Sequence, residues 1–273
     1  MTARLAREEV RPRSGGPPSR WAWLTHGIFG RGRNWRSVAR RLVEGAGERA
    51  ALLVDLRLHG GSEGFTPPHT LEACADDLDE LHRASGSARP DVMLGHSFGG
   101  KVALTWGTRA RPGLEQVWVV DASPSAGEPG GDAVRMLEAL REEPGPFAGR
   151  AGAVEALRGH GFPARVGRWM ATNLEEGDDG LTWGLDLDAL GALLEDYFET
   201  DLWDAVEDPP DGTELHFVKA EGSAVLPEDA CRRLETAGRR HGRVRLHRIP
   251  GEHWLNVSNP EGLVELLLGR MPR

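Results

Sequence analysis

The most informative stretch of the sequence is DVMLGHSFGGKVAL, residues 91–104, which combines a serine and a lysine with closely spaced glycines. The letters GHSFG, centred on Ser97, match G-x-S-x-G, the sharp turn that exposes a nucleophilic serine between a strand and a helix. The letters GHSFGGK, ending at Lys101, also match most of the phosphate-binding pattern G-x-x-x-x-G-K. The stretch therefore predicts either a catalytic serine or a bound phosphate.

The residue after Lys101 distinguishes these two interpretations. A phosphate-binding loop needs a serine or threonine hydroxyl there to bind the magnesium ion, and this chain has Val102, which cannot bind a metal. The glycines around Ser97, in contrast, suit a turn whose central residue has a strained backbone. The pattern favours a nucleophilic serine.

A serine hydroxyl becomes a good nucleophile when a histidine takes its proton. In this kind of turn the catalytic residues follow the chain order serine, acid, histidine. Five histidines follow Ser97, namely His160, His216, His241, His247 and His253. Only the last directly follows a predicted strand, in IPGEHWLN, while the others lie inside strands or near helical surfaces. His253 is therefore the predicted base.

Two acids end predicted strands between the serine and this histidine. Asp121 ends QVWVVD, and Glu221 follows ELHFVKA. Because the carboxyl ends of parallel strands share one edge of the sheet, either carboxylate could reach the histidine. Asp121 is favoured, since a short side chain at a strand tip loses less rotamer freedom than a glutamate in a glycine-flanked turn. Glu221 remains the alternative acid.

The predicted oxyanion hole combines two backbone N–H groups. The N–H of Phe98 opens the helix after the serine, where the helix dipole favours negative charge. The second donor would follow the strand end THG (25–27), where a glycine permits close backbone approach, and is Ile28 or Phe29. His26 itself is interpreted as structural.

Short apolar runs alternate with amphipathic stretches, which is typical of an α/β fold with a mostly parallel central sheet flanked by helices. Strands are predicted at 21–25, 50–56, 91–95, 116–121, 214–220 and 243–249, with a possible edge strand at 4–10. Helices are predicted near 34–45, 70–84, 99–110, 227–240 and 260–268. This alternation of predicted strands and helices stops after Asp121.

Residues 123–210 show no convincing strand, although 187–198 has a clear helical pattern. A structureless loop of this length is improbable in a compact domain, so the segment is predicted to be a helical cap. The core would then comprise residues 1–122 and 211–273. Aromatic and histidine side chains expected near a substrate pocket are His96, Trp169, Trp183, Phe198, Trp203 and Trp254.

The bulk composition excludes several classes of protein. The net charge of −9 argues against a general nucleic-acid binder, although residues 1–50 carry 11 Arg against 4 Glu. Two cysteines are too few for a disulfide framework or a zinc site, so no metal is expected. No window approaches the roughly 18 apolar residues of a membrane span, and no secretory signal precedes residue 20. A cytoplasmic location is predicted, and the oligomeric state is left open.

Several stretches together carry a resemblance over about residues 21–268: THGIFGRGRNW, VDLRLHGGSEG, LGHSFGGKVAL, VVDASP, WMATNLEEGDDGLTWGLDLDAL and PGEHW. They resemble α/β-hydrolase fold serine esterases related to abhydrolase domain-containing protein 11 and its bacterial relatives. The resemblance implies hydrolysis of small acyl esters or thioesters, a helical cap and no cofactor. It also supports the acid at Asp121, with Ser223 at the place where many other members carry theirs, and implies a supporting role for Asp55, Arg57 and His59.

Two other functions remain open at this point. A cofactor-free haloperoxidase or perhydrolase would use the same three residues, Ser97, Asp121 and His253. A non-catalytic ligand-binding protein could also be built on this scaffold, although it would have no need of an aligned base.

Overall fold

The structure is a computed structural model, and it describes residues 3–13, 16–109 and 111–272. Seven strands form one sheet in the order β1-β3-β2-β4-β5-β8-β9. They are β1 (Arg7–Val10), β2 (Arg20–Thr25), β3 (Arg49–Val54), β4 (Val92–His96), β5 (Gln116–Val120), β8 (Glu214–Ala220) and β9 (Val244–Ile249). Only β1, at the edge, pairs antiparallel to its neighbour. The predicted mostly parallel sheet is confirmed.

Eleven helices are described, and three short 3-10 turns lie at Gly32–Trp35, Gly86–Ala88 and Ala171–Asn173. The helices are α1 (Arg36–Ala46), α2 (Leu71–Ala84), α3 (Phe98–Gly107), α4 (Gly131–Glu142), α5 (Arg150–Gly159), α6 (Ala164–Met170), α7 (Leu187–Glu199), α8 (Trp203–Glu207), α9 (Glu228–His241), α10 (Leu255–Ser258) and α11 (Pro260–Arg270). The predicted end of the helix at residue 110 lies outside the described residues. In the described ranges no helix has the length and apolar character needed to cross a bilayer.

The sheet has a hydrophobic core on each face because its central strands are buried throughout. In β3, Leu52 packs into one core and Leu53 into the other, as expected from the two-residue period of a strand. One core takes in side chains of α1 and α11, and the other takes in side chains of α2, α3 and α9. This three-layer arrangement aligns the carboxyl ends of the parallel strands along one edge.

Between β5 and β8 the chain forms α4 to α8 and one two-stranded hairpin, β6 (Leu174–Gly177) and β7 (Gly180–Trp183). The expectation of no strand in this segment was wrong. The hairpin escaped detection because β6 reads LEEG and exposes both glutamates, so it lacks apolar alternation. Its tight turn depends on Gly180, whose φ of 134° disfavours any side chain.

Candidate active site

Ser97 lies at the tip of the turn between β4 and α3. Its φ of 53° is unusual for a residue with a side chain, and its N–H is held by the Val120 carbonyl at 2.9 Å. Gly95 and Gly99 are required nearby, since a Cβ on Gly95 would lie 1.9 Å from the Gly99 carbonyl oxygen. The packing of β4 against α3 therefore fixes the strained serine in place.

His253 links the serine to the acid. It follows β9, and its Nε2 lies 3.1 Å from Ser97 Oγ while its Nδ1 lies 2.7 Å from Asp121 Oδ2. Because a carboxylate only accepts hydrogen bonds, Nδ1 carries the proton and Nε2 is left to accept one from the serine hydroxyl. Ser97, His253 and Asp121 thus form one continuous hydrogen-bonded chain.

Asp121 directly follows β5 and is fully buried. Burial acts to raise the pKa of its carboxyl, but hydrogen bonds from His253, Ser223 and the Ala220 N–H together lower that pKa below its ordinary value. The carboxylate therefore remains ionised beside the histidine. Ser223 assists here without supplying charge.

Glu221, the alternative acid, lies on the surface. Among the described residues its side chain has no hydrogen-bond or ion-pair partner, so it does not contact His253. The turn after β8 carries this glutamate away from the histidine, and the alternative assignment of the acid to Glu221 is not supported by the geometry.

His96, the last residue of β4, supports the loop that holds the base. Its Nε2 lies 2.8 Å from the carbonyl oxygen of His253, and the two rings are 4.7 Å apart. Burial, together with the neighbouring His253, lowers the pKa of His96 to about 3. A neutral His96 adds no positive charge to the imidazolium that would form next to it.

The three predicted oxyanion donors have different surroundings. Phe98 N–H at the start of α3 and Ile28 N–H have no acceptor among the residues that the structure describes. Phe29 N–H, in contrast, donates to His59 Nε2 at 3.3 Å, so its assignment as an oxyanion donor is not supported. Gly27 leaves little space beside them, since a Cβ there would lie 3.3 Å from Ser97 Cβ.

Two buried histidines hold the backbone loop that carries Ile28. His26 Nδ1 donates to the Gly27 carbonyl and its Nε2 accepts from Leu56 N–H, at 2.8 and 3.1 Å. His59 Nδ1 donates to the Arg57 carbonyl at 2.7 Å. Burial lowers the pKa of His26 to about 4 and that of His59 to about 3, so both rings stay neutral.

Asn173, which the sequence interpretation did not single out, ties the same loop to the segment inserted after β5. Its Nδ2 donates to the Phe29 carbonyl and its Oδ1 accepts from Arg31 Nε, both at 2.9 Å. The Arg31 guanidinium is thus used in a contact within the protein. The only signal in the sequence is a polar residue inside the apolar run WMATNL, which does not reveal its partner.

Two adjacent cavities with shared lining residues border the site. The narrower one, of about 60 Å³, contains Ser97 and His253, and the wider one, of about 170 Å³, lies beside it. Three of the predicted pocket residues, His96, Trp169 and Trp254, line both cavities. Sequence reasoning missed the apolar side chains of the narrower cavity, which are Ala133, Met136, Phe162 and Val166.

The other three predicted pocket residues line neither of these two cavities. Trp183 packs on Phe147 and donates to the Glu143 carbonyl. Trp203 donates to Ser125 Oγ, and Phe198 packs on Tyr197. The geometry of these two cavities does not support those predictions, because the rings pack inside the inserted segment and at its junction with the sheet.

The order of the elements and the geometry of the turn have counterparts among known proteins. The model of the alpha/beta hydrolase family matches residues 24–266. The chain belongs to this alpha/beta hydrolase family. Mouse sn-1-specific diacylglycerol lipase ABHD11 is 28% identical over 248 residues, which cover 88% of this chain and 77% of that protein, so the resemblance noted in the sequence is confirmed.

Solved structures show the same alpha/beta hydrolase fold. A marine microorganism esterase superposes with a TM-score of 0.81 at 22% identity, covering 99% of this chain and all (100%) of that chain. The thioesterase domain from the curacin biosynthetic pathway gives 0.68 at 18% identity, covering 97% and 95% of the two chains.

Within the described ranges no group of three or more His, Cys, Asp or Glu side chains is placed to hold a metal ion. The edge of the sheet instead offers a serine with an aligned base and two backbone N–H groups.

Proposed function

We propose that this alpha/beta hydrolase cleaves carboxylic esters or thioesters through an acyl-enzyme intermediate on Ser97. The observation that carries the proposal is the hydrogen-bonded chain from Ser97 Oγ through His253 to the buried Asp121. A protein that only binds a ligand has no need of this alignment. The mouse relative, named as a diacylglycerol lipase, supports an ester as the bond that is cleaved.

The proposed first half-reaction forms the acyl-enzyme. Ser97 Oγ attacks the carbonyl carbon while its proton moves to His253 Nε2, and Asp121 stabilises the resulting imidazolium. The carbonyl oxygen becomes an oxyanion that accepts hydrogen bonds from Ile28 and Phe98 N–H. When the bond to the leaving group breaks, His253 returns the proton to the departing oxygen or sulfur.

The second half-reaction repeats these steps with water. His253 takes a proton from a water molecule, whose oxygen attacks the acyl carbon, and the proton then returns to Ser97 Oγ as the acid product leaves. Whenever His253 is neutral, its hydrogen bond to Asp121 keeps the ring proton on Nδ1.

We also propose that residues 123–210 act as a cap on a core made of residues 1–122 and 211–273. Met136, Phe162 and Val166 from this segment form apolar walls of the narrower cavity. Since that cavity is small, short acyl chains fit it best, and the wider cavity would take the rest of the molecule.

The direct test is labelling with a fluorophosphonate, which reacts with activated serines. Wild-type protein and a Ser87→Ala control, changed at an exposed serine, should be labelled and should hydrolyse p-nitrophenyl acetate. Ser97→Ala should do neither. Labelling that persists in Ser97→Ala would refute the assignment of the nucleophile, and an unreactive wild-type protein would favour a ligand-binding role.

The wider cavity has one lining side chain that carries charge at neutral pH, Arg165. The histidines that line it, His26 and His96, are neutral because burial lowers the pKa of each, to about 4 and about 3. In the described part of the chain the Arg165 side chain has no hydrogen-bond or ion-pair partner. At the narrower cavity, in contrast, Asp132 is paired with Arg135 at 3.0 Å. An anionic group on a substrate is therefore best placed in the wider cavity.

Arg165→Gln should raise KM about tenfold for a short acyl ester whose alcohol part bears a carboxylate, the cost of one charged hydrogen bond. Hydrolysis of a neutral ester of similar size should not change. Arg168→Gln removes a charge from the same helix without altering the cavity lining and provides the control. An equal effect of both substitutions would show that only the overall charge of the helix matters.

A further inference from the structure

Lys101 lies one helical turn after Ser97 and is almost completely buried. Its Nζ donates to three backbone carbonyl oxygens, those of Ser125, Tyr197 and Thr200, at 2.8, 2.6 and 2.8 Å. An ammonium group has three N–H donors, and all three are used here. The Tyr197 ring lies 4.5 Å from the same nitrogen. The site is therefore built for the charged form of lysine.

These carbonyls belong to both ends of the cap. Ser125 lies where the chain leaves β5 for the cap, Tyr197 lies in the last turn of α7, and Thr200 directly follows α7 on the way back to the core. A second bond at this junction, from Trp203 Nε1 to Ser125 Oγ, holds the same two segments together at 2.9 Å. Lys101, on the helix that follows the nucleophile, thus binds both segments that join the cap to the core.

The nearby carboxylates have other partners. Asp196 Oδ2 accepts from Leu71 N–H at 2.7 Å and so caps α2, and Asp201 Oδ1 accepts from Trp203 N–H at 2.9 Å. Burial lowers the pKa of Lys101 to about 8, against the opposing effect of these two carboxylates, so the ammonium predominates at neutral pH. Its hydrogen bonds hold backbone in place and do not neutralise an acid.

We propose that Lys101 is a positioning residue that fixes the cap on the nucleophile helix and thereby sets the apolar walls of the cavity over Ser97. Those walls, Met136, Phe162 and Val166, belong to the cap alone, whereas Ser97 and Phe98 belong to the core. Loss of the ammonium leaves three carbonyls without donors at the junction. The cap is then held only by its remaining contacts. The fraction of molecules in which the cavity is formed therefore falls.

The test compares Lys101→Met with Leu263→Ala, which creates a cavity in the core on the face of the sheet that contains α1 and α11. Lys101→Met should raise KM for p-nitrophenyl butyrate about tenfold, as expected if about one molecule in ten keeps the cavity formed, with little change in kcat. Limited proteolysis should become faster within residues 123–210. Leu263→Ala should lower the melting temperature without either change.

An unchanged KM in Lys101→Met, or an equal rise in Leu263→Ala, overturns the proposal. If Lys101→Met does not fold, Lys101→Gln replaces it. Its shorter, uncharged amide has only two N–H donors for the three carbonyls, so KM should still rise, and an unchanged KM there also overturns the proposal. The kinetic readout rests on the proposed hydrolysis by Ser97. Proteolysis does not, so a protein without esterase activity still tests whether Lys101 holds the cap.

Discussion

Replacing Asp121 with asparagine is expected to lower kcat for ester hydrolysis by about four orders of magnitude, as in triads where this change alters the histidine tautomer. An asparagine amide facing His253 Nδ1 can donate a hydrogen bond, so the ring proton would move to Nε2. That nitrogen could no longer accept the proton of Ser97, 3.1 Å away. The fold should survive, because the amide oxygen can still accept from Ala220 N–H.

Glu221→Gln is the matched control, since it makes the same chemical change in the alternative acid at the same edge of the sheet. It should leave kcat within about twofold of wild type, as usual for an exposed substitution. Steady-state kinetics with a short p-nitrophenyl ester, together with circular dichroism for the fold, checks both variants. If Glu221→Gln is the inactive one, Asp121 is only a buried turn residue.

Mild acid is expected to destabilise the protein strongly. Four histidines are buried and His247 is half-buried, and burial lowers the pKa of each one: His26, His216 and His247 to about 4, and His59 and His96 to about 3. In the unfolded chain each pKa returns to about 6.5. Between about pH 6.5 and pH 4 the unfolded state therefore binds more protons, and the free energy of unfolding falls as the pH falls.

The size of this effect follows from the number of protons. Each histidine that stays neutral in the fold contributes about 1.4 kcal/mol per pH unit within that window. Urea denaturation at several pH values between 7.5 and 4.5 measures the slope. His216→Gln, at a site remote from Ser97, should reduce the slope by about one proton. A free energy of unfolding that is constant from pH 7 to pH 5 would contradict the prediction.

The central strands were predictable to within two residues because they are buried on both faces and their sequences are nearly continuous apolar runs. The geometry that unites Ser97, Asp121 and His253 also followed from the sequence, because each residue comes shortly after a parallel strand and those strands end at one edge. In these parts of the chain the local sequence pattern is sufficient to predict the position of a residue in the fold.

The proposed cap, residues 123–210, was harder to predict because its contacts connect residues far apart in the chain. The sequence pattern of an amphipathic helix such as α7 indicates an apolar face. It does not indicate whether that face packs against the substrate cavity or inside the proposed cap. Trp183, Phe198 and Trp203 were misplaced for this reason. Lys101 gave the misleading match to a phosphate-binding loop, and its partners turned out to be backbone carbonyls of the cap.

The Asn173 side chain also limits how this enzyme could be redesigned. Because its amide bridges the Phe29 carbonyl and Arg31, the proposed cap and the loop that carries Ile28 share one hydrogen-bond network. A cap transplanted from another hydrolase to change substrate preference would leave that carbonyl and that guanidinium without their partner. Exchange of the cap as a module therefore requires the loop at 26–34 to be transferred with it.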